Sequence, residues 1–266
     1  MKKTYAVVNF LSVVLVLIVN GLSQSQRWNG TTIGEISNQY DNLFTPAGYA
    51  FAIWGLIFLM LVGYSLFQIK RAFFNTEESS FILQTGLWFA IANVLNAAWI
   101  VAFTYDYIGL SVVIMLGILI SLLKIVWNTN MERWDASIGV IAFVWWPVCV
   151  YSGWIAVATI ANIAAFFASI EYVGSELTQV VWTMVMITIA VLLNVLMVWL
   201  RNMREFAAVA IWALTAIFIR HKEQYESIAY YALLGAVILL FIVTVHAIKN
   251  RKTLPNIKFN ERFSGK

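Results

Sequence analysis

Three stretches of the sequence set aromatic rings, small residues and amide or phenol groups at helical spacing. Phe51, Trp54 and Phe58 are separated by 3 and 4 residues. Trp88, Ala92, Asn96, Trp99 and Phe103 follow steps of 4, 4, 3 and 4, and Pro147, Tyr151, Trp154, Ala158 and Asn162 steps of 4, 3, 4 and 4. On a helix each series falls on one face. Rings combined with a few hydrogen-bonding groups suit one kind of chemistry, the holding of a flat apolar molecule between aromatic planes with polar anchors. The same residue types also serve interhelical packing in membranes, where small residues and Asn or Thr are common. Periodicity leaves both readings open.

Conventional reactive sets are missing. No Asp, Glu, Lys or Arg lies in the middle of any apolar span, and such residues normally mark proton relays and ion-coupled transport. There is no mid-membrane lysine for a retinal Schiff base. His221 and His246 fall toward opposite sides of the membrane and cannot clamp one haem. A serine nucleophile with its base cannot be assembled. The single cysteine, Cys149, can form no intrachain disulfide and no thiolate cluster. The expectation is therefore a protein without catalytic residues, without a metal and without a resident cofactor.

The elements that must position the three faces follow from composition. The chain has 266 residues, 62% hydrophobic and 11% charged, against about 45–50% and about 25% in soluble domains. Long uncharged runs satisfy their backbone in lipid only as helices. An all-α polytopic membrane bundle is predicted, with about eight spans: 5–22, 47–69, 81–103, 108–127, 136–168, 177–200, 205–219 and 227–248. Placing both termini in the cytoplasm puts fourteen of the seventeen Lys and Arg on the inner side, the bias that sets orientation during insertion. The net charge of +4 thus reports topology rather than a nucleic-acid partner. The first span, with Lys2 and Lys3 before it, is expected to be a retained helix rather than a signal peptide. The polar segment 23–45 is long enough to fold as a lid, and Pro147 leaves the carbonyl of Phe143 without its helical partner, predicting a kink.

These same residues carry a resemblance. Phe44-Thr45-Pro46-Ala47-Gly48-Tyr49 resembles the Trp-Thr-Pro-Pro-Gly-Trp entry to the second helix of the tryptophan-rich sensory protein family, which includes the mitochondrial translocator protein. Leu95-Asn96-Ala97-Ala98-Trp99 is similar to that family's third-helix motif, and Pro147, Tyr151, Trp154, Ala158, Thr159 and Asn162 to its fifth-helix series. The resemblance covers residues 1–168. It implies a five-helix core with outer loop 23–45; the three additional spans over 169–250 and the basic cytoplasmic tail over 251–266, read from hydropathy and charge, have no counterpart in the family's short members. It also implies a cavity beneath the first loop that takes porphyrins, sterols or other aromatic ligands.

By resemblance Trp54 and Trp154 are cavity tryptophans. Pro46, Tyr49, Phe58, Asn96, Trp99, Phe103, Tyr151 and Ala158 lie on or near the wall. Phe51, Pro147, Thr159 and Asn162 complete the candidate ligand-binding set. Two departures stand out: Ala47 replaces the second proline, and Phe44 and Tyr49 replace the motif tryptophans. The extra spans either cover a surface used for homodimerisation or extend the cavity.

Three functions follow. The first is a sensor or regulator in a bacterial inner membrane, taking up a tetrapyrrole or similar flat apolar ligand. The second is a transporter with Asn93, Asn96, Thr159 and Asn162 as polar waypoints. The third, resting on the resemblance alone, is tryptophan-dependent breakdown of a porphyrin.

Overall fold

The computed structural model describes residues 1–40, 42–74, 79–172 and 174–250; the basic tail expected over 251–266 lies outside the described residues. Among those described, every regular element is helical. The elements are α1 (Lys2–Gln26), α2 (Ile33–Gln39), α3 (Ile53–Phe73), α4 (Ser80–Thr85), α5 (Trp88–Thr104), α6 (Ile108–Asn128), α7 (Ile138–Ser169), α8 (Glu176–Arg201), α9 (Arg204–His221) and α10 (Glu226–Lys249). A short 3₁₀ turn, Gly48–Ala52, leads into α3.

Among the described residues, six stretches are long and apolar enough to cross a bilayer: α1, Gly48–Phe73, α6, α7, α8 and α10. The third apolar run is broken. Gly86, at φ +55, ends α4, and α5 restarts at Trp88 and runs for 17 residues. α9 has 18 residues and includes Arg204, Glu205 and Arg220. It is held by protein on several sides rather than by lipid.

Helices α1, α3, α7, α6 and α5 form a closed ring, each packed against the next. α1 is a full wall of that ring. Its buried Asn9 donates to the Gln68 side chain (2.9 Å), and its Ser12 hydroxyl accepts from Asn93 (3.0 Å). Buried amides find such partners because none exist in lipid. α9 lies against the outer face of α7, and α8 and α10 pack on α9 and on each other. α7 is thus sandwiched, and 78% of its central window is buried. Ahead of Pro147 the helix widens into a π-type turn over Ile141–Trp145. That is the local answer to the N–H that proline lacks.

Candidate functional site

The sequence folds locally so that three ring-bearing faces meet inside the five-helix ring. Trp54 of α3 stacks on Phe58 (5.3 Å between centroids) and meets Tyr151 and Trp154 of α7 edge-on at 6.1 and 6.4 Å. Phe51 meets Trp154 at 6.0 Å. From α5, Trp99 stacks on Phe103 at 4.9 Å. These T-shaped and stacked distances are those at which aromatic pairs attract.

Polar side chains tie the faces together. Asn96 donates to the Tyr151 phenol (2.7 Å), and the Trp99 indole donates to Asn162 Oδ1 (2.7 Å). Asn162 Nδ2 in turn donates to Ser111 of α6 (2.8 Å). One residue, Asn162, therefore joins α5, α6 and α7.

Between these groups lies a cavity of about 50 Å³, lined by Pro46, Phe51, Trp54, Trp99, Phe103, Trp154, Ala158 and Asn162, with Ile33 and Ser37 of α2 also in its wall. Of the candidate residues read from the sequence, those eight line it. Phe58, Asn96 and Tyr151 stand behind the wall as supports. Pro147 is buried a helical turn before Tyr151. The Thr159 hydroxyl is turned onto its own helix, at the Ile155 carbonyl (2.7 Å). Tyr49 is 41% exposed and lies edge-on to Trp212 at 5.2 Å, away from the cavity.

One cavity group is unsatisfied. Trp154 is 2% exposed, and its indole N–H has no hydrogen-bond partner. Buried donors without acceptors are rare.

The segment over the cavity is held by polar contacts. Thr32 and Glu35 form a reciprocal capping box on α2, and Arg27 grips Glu35 through both carboxylate oxygens (2.8 Å each). That pairing holds the Glu35 carboxyl below its usual range. Tyr40 donates to Asp106 (2.7 Å), which pushes its phenol above the ordinary value. Asn29 reaches the Thr104 carbonyl (3.1 Å).

α9 grips the next stretch. Arg220 donates to the Thr45 carbonyl (2.7 Å), His221 Nε2 pairs with the Leu43 carbonyl (3.0 Å), and the Trp212 indole donates to the Ala50 carbonyl (3.1 Å). The backbone N–H of Ala47 donates to the Ala216 carbonyl (3.2 Å). A proline at position 47 has no such N–H. The departure from the double-proline motif therefore adds a backbone bond to the side-chain bonds that already join the motif loop to α9. His221, expected in a loop, ends α9 and is buried.

A chain with these ring-bearing faces beneath a capped segment invites comparison with known families. The family described as TSPO-like protein matches residues 6–245. The chain belongs to the TSPO-like family. The match runs from α1 into α10, so it takes in the last three long helices as well as the first five. No curated protein and no solved structure matches the chain.

Two features of this TSPO-like chain were not visible in the spacing of its residues. A larger cavity of about 460 Å³ lies on the opposite face of α7, between α7 and α8, with Ala164, Phe167, Trp182 and Met186 among its lining residues. Asn42 and Leu43 line this second space, while Thr45 and Pro46 line the first. The other feature is a buried cluster of Glu132, Cys149 and Glu205, whose ligand atoms all lie within 4.8 Å of one another. Burial, and then the neighbouring Glu205 charge, push the Glu132 carboxyl up to about 8, against the pull of Arg204. The three residues come from a loop, α7 and α9, so no short motif announces them.

Proposed function

We propose that this protein is a membrane receptor for a flat, largely apolar molecule carrying a hydrogen-bond acceptor, of tetrapyrrole or similar shape, bound among Trp54, Trp99, Phe103 and Trp154. The observation that carries the reading is the unpartnered indole N–H of Trp154 in an aromatic cavity. A ligand acceptor there removes a desolvation cost of about 1–3 kcal/mol.

The present volume of about 50 Å³ is far below the roughly 300–1,000 Å³ of ordinary ligand pockets. Binding thus requires the wall to open. The segment Asn42–Pro46 is the natural moving part, because it divides the small cavity from the larger space beside α8. With this segment displaced, the ligand gains room without parting the five-helix ring.

The transporter reading has less support. Its proposed polar waypoints are each engaged elsewhere: Asn93 with Ser12, Asn96 with Tyr151, Thr159 with its own backbone and Asn162 with Trp99 and Ser111. Porphyrin breakdown would need the same cavity and is a question for illumination in air once binding is established.

The test is tryptophan quenching by protoporphyrin in detergent or nanodiscs. Saturable quenching at micromolar concentration is expected. Trp154→Phe, which keeps a ring but deletes the N–H, should weaken binding about 10-fold, in line with one lost hydrogen bond of about 1.4 kcal/mol. A Trp54→Ala, Trp154→Ala double variant that binds as tightly as the wild type rules the site out.

A further inference from the structure

We infer that Glu132, Glu205 and Cys149 form a binding site for a divalent cation of the zinc class, at the seam where α9 meets α7 and the α6–α7 loop.

The donor set points to the ion class. Two carboxylates and one thiol lie within 4.8 Å of one another. Ligand atoms around a four-coordinate zinc stand roughly 3.4–3.7 Å apart, given Zn–O of about 2.0–2.2 Å and Zn–S of about 2.3 Å, so closing on the ion needs movements of about 1 Å. Oxygen ligands alone would favour Mg²⁺ or Ca²⁺, and sulfur alone a softer ion; the mixture suits the borderline Zn²⁺.

The second line of support is independent of proximity. Glu132 is 8% exposed and, among the described residues, its Oε1 and the buried Asn202 Oδ1 have no hydrogen-bond partner; Glu205 Oε2 is buried near the Trp146 indole without a well-formed hydrogen bond. Asn202 is anchored beside the cluster by its Nδ2, which donates to the Glu132 carbonyl (3.3 Å), leaving its amide oxygen as a candidate fourth ligand. Buried polar oxygens are normally satisfied, and a cation satisfies several of them at once.

Cys149 Sγ rests 3.9 Å from the thioether of Met131, its recorded polar contact. On metal binding the S–Zn bond replaces the S–H bond, and the thiol proton leaves to solvent. A divalent ion, together with the nearby Arg204 guanidinium, balances the charges of both carboxylates and the thiolate. A metal here staples α9 to α7 at the end of the bundle opposite the cavity. It would add to the hold that α9 already has on the motif loop.

The experiment titrates Zn²⁺ into the purified full chain in nanodiscs, followed by calorimetry, with Co²⁺ as the spectroscopic substitute. Saturable binding of one ion per chain is expected, and the cobalt form should show thiolate-to-metal charge-transfer absorption in the near ultraviolet. Cys149→Ser should remove that band while leaving the weaker ligand-field bands. Glu132→Gln and Glu205→Gln should each lower Zn²⁺ affinity at least ~10-fold, the smallest loss expected when a metal site loses a supporting group. Absence of saturable binding overturns the site. So does a cobalt complex without the thiolate band, or Zn²⁺ affinity unchanged in the Glu132→Gln, Glu205→Gln double variant. Where a Gln variant does not fold, the wild-type cobalt spectrum against that of Cys149→Ser decides.

Discussion

At Gly153, α7 comes close to the backbone of α9. A Cβ added there meets the Phe206 carbonyl oxygen at 2.8 Å, the Phe206 Cα at 3.1 Å and Val209 Cβ at 3.2 Å. Ordinary contact begins near 3.4 Å, so Gly153→Ala is short of room by about 0.6 Å. The obstruction is α9 backbone, which cannot rotate aside as a side chain tip would. The two helices must part, at a cost of about 1–3 kcal/mol for overpacking of this kind. Alanine regains about 0.5–1 kcal/mol of helix propensity, so the expected net loss is about 1–2 kcal/mol. The same displacement pulls on every α9 bond to the motif loop.

The assay is thermal unfolding in detergent, followed by tryptophan fluorescence, with Gly21→Ala as the control. Nothing lies within 4 Å of a Cβ at Gly21, so that variant should melt with the wild type or slightly above it. Gly153→Ala should melt several degrees lower, at about 2–4 °C per kcal/mol for a chain of this size. Equal melting temperatures for the two variants refute the close α7–α9 packing.

Three further outcomes are expected. Ala47→Pro suits the native φ of −55° and ψ of 145°, so it removes little but the N–H bonded to Ala216. Stability should change by no more than about 1 kcal/mol, as a lost hydrogen bond and a stiffened unfolded chain offset each other. Amide exchange around Phe44–Phe51 should nonetheless rise, and unchanged exchange there contradicts the tether. Asn162→Ala leaves the Trp99 indole without its acceptor, while Ser111 keeps its bond to the Ile108 carbonyl, costing about 1–3 kcal/mol. A melting temperature within error of the wild type would show that the network is dispensable. The Tyr40 phenol is held above its usual value by Asp106; a group raised in the folded state stabilises below its unfolded value of about 10 and loses that contribution as pH climbs through the folded one. Ultraviolet titration should therefore show one tyrosine whose ionisation shifts downward in Asp106→Asn, and an identical titration curve for that variant denies the contact.

Six of the eight expected spans were legible because apolar length is written into the chain, and the Pro147 distortion because a missing N–H is a local fact. The break at Gly86 was not: one glycine inside an apolar run reads as a continuous helix, and only its left-handed φ of +55° separates α4 from α5. Ring spacing put Trp54 and Trp154 each on a face, but they are 100 positions apart in sequence and periodicity carries no information about which faces meet. Tyr49 sits in the same motif as Pro46 and yet turns toward Trp212, because α9 offers it a ring on the other side. The partners that decide this come from the last third of the sequence, which the motifs do not mention. Glu132, Cys149 and Glu205 were invisible for the same reason.

The segment Asn42–Ala50 has one side in the cavity wall and the other bonded to α9, so whatever moves one side is felt by the other. Among the described residues its bonds to α9 are five: the Arg220 guanidinium to Asn42 and to Thr45, His221 to Leu43, Ala47 to Ala216, and Trp212 to Ala50. Neutral hydrogen bonds contribute about 0.5–1.5 kcal/mol each and a charged one about 1.5–3. Breaking all five costs more than the 1–3 kcal/mol that typically couples two sites; breaking one or two falls within that range. A ligand that displaces Pro46 therefore shifts α9 along with the loop more cheaply than it tears the loop free. By reciprocity, a change at α9 alters cavity affinity by the same factor. Ala47, where the family motif has a proline, strengthens this coupling by adding a backbone donor that reaches from the motif into α9.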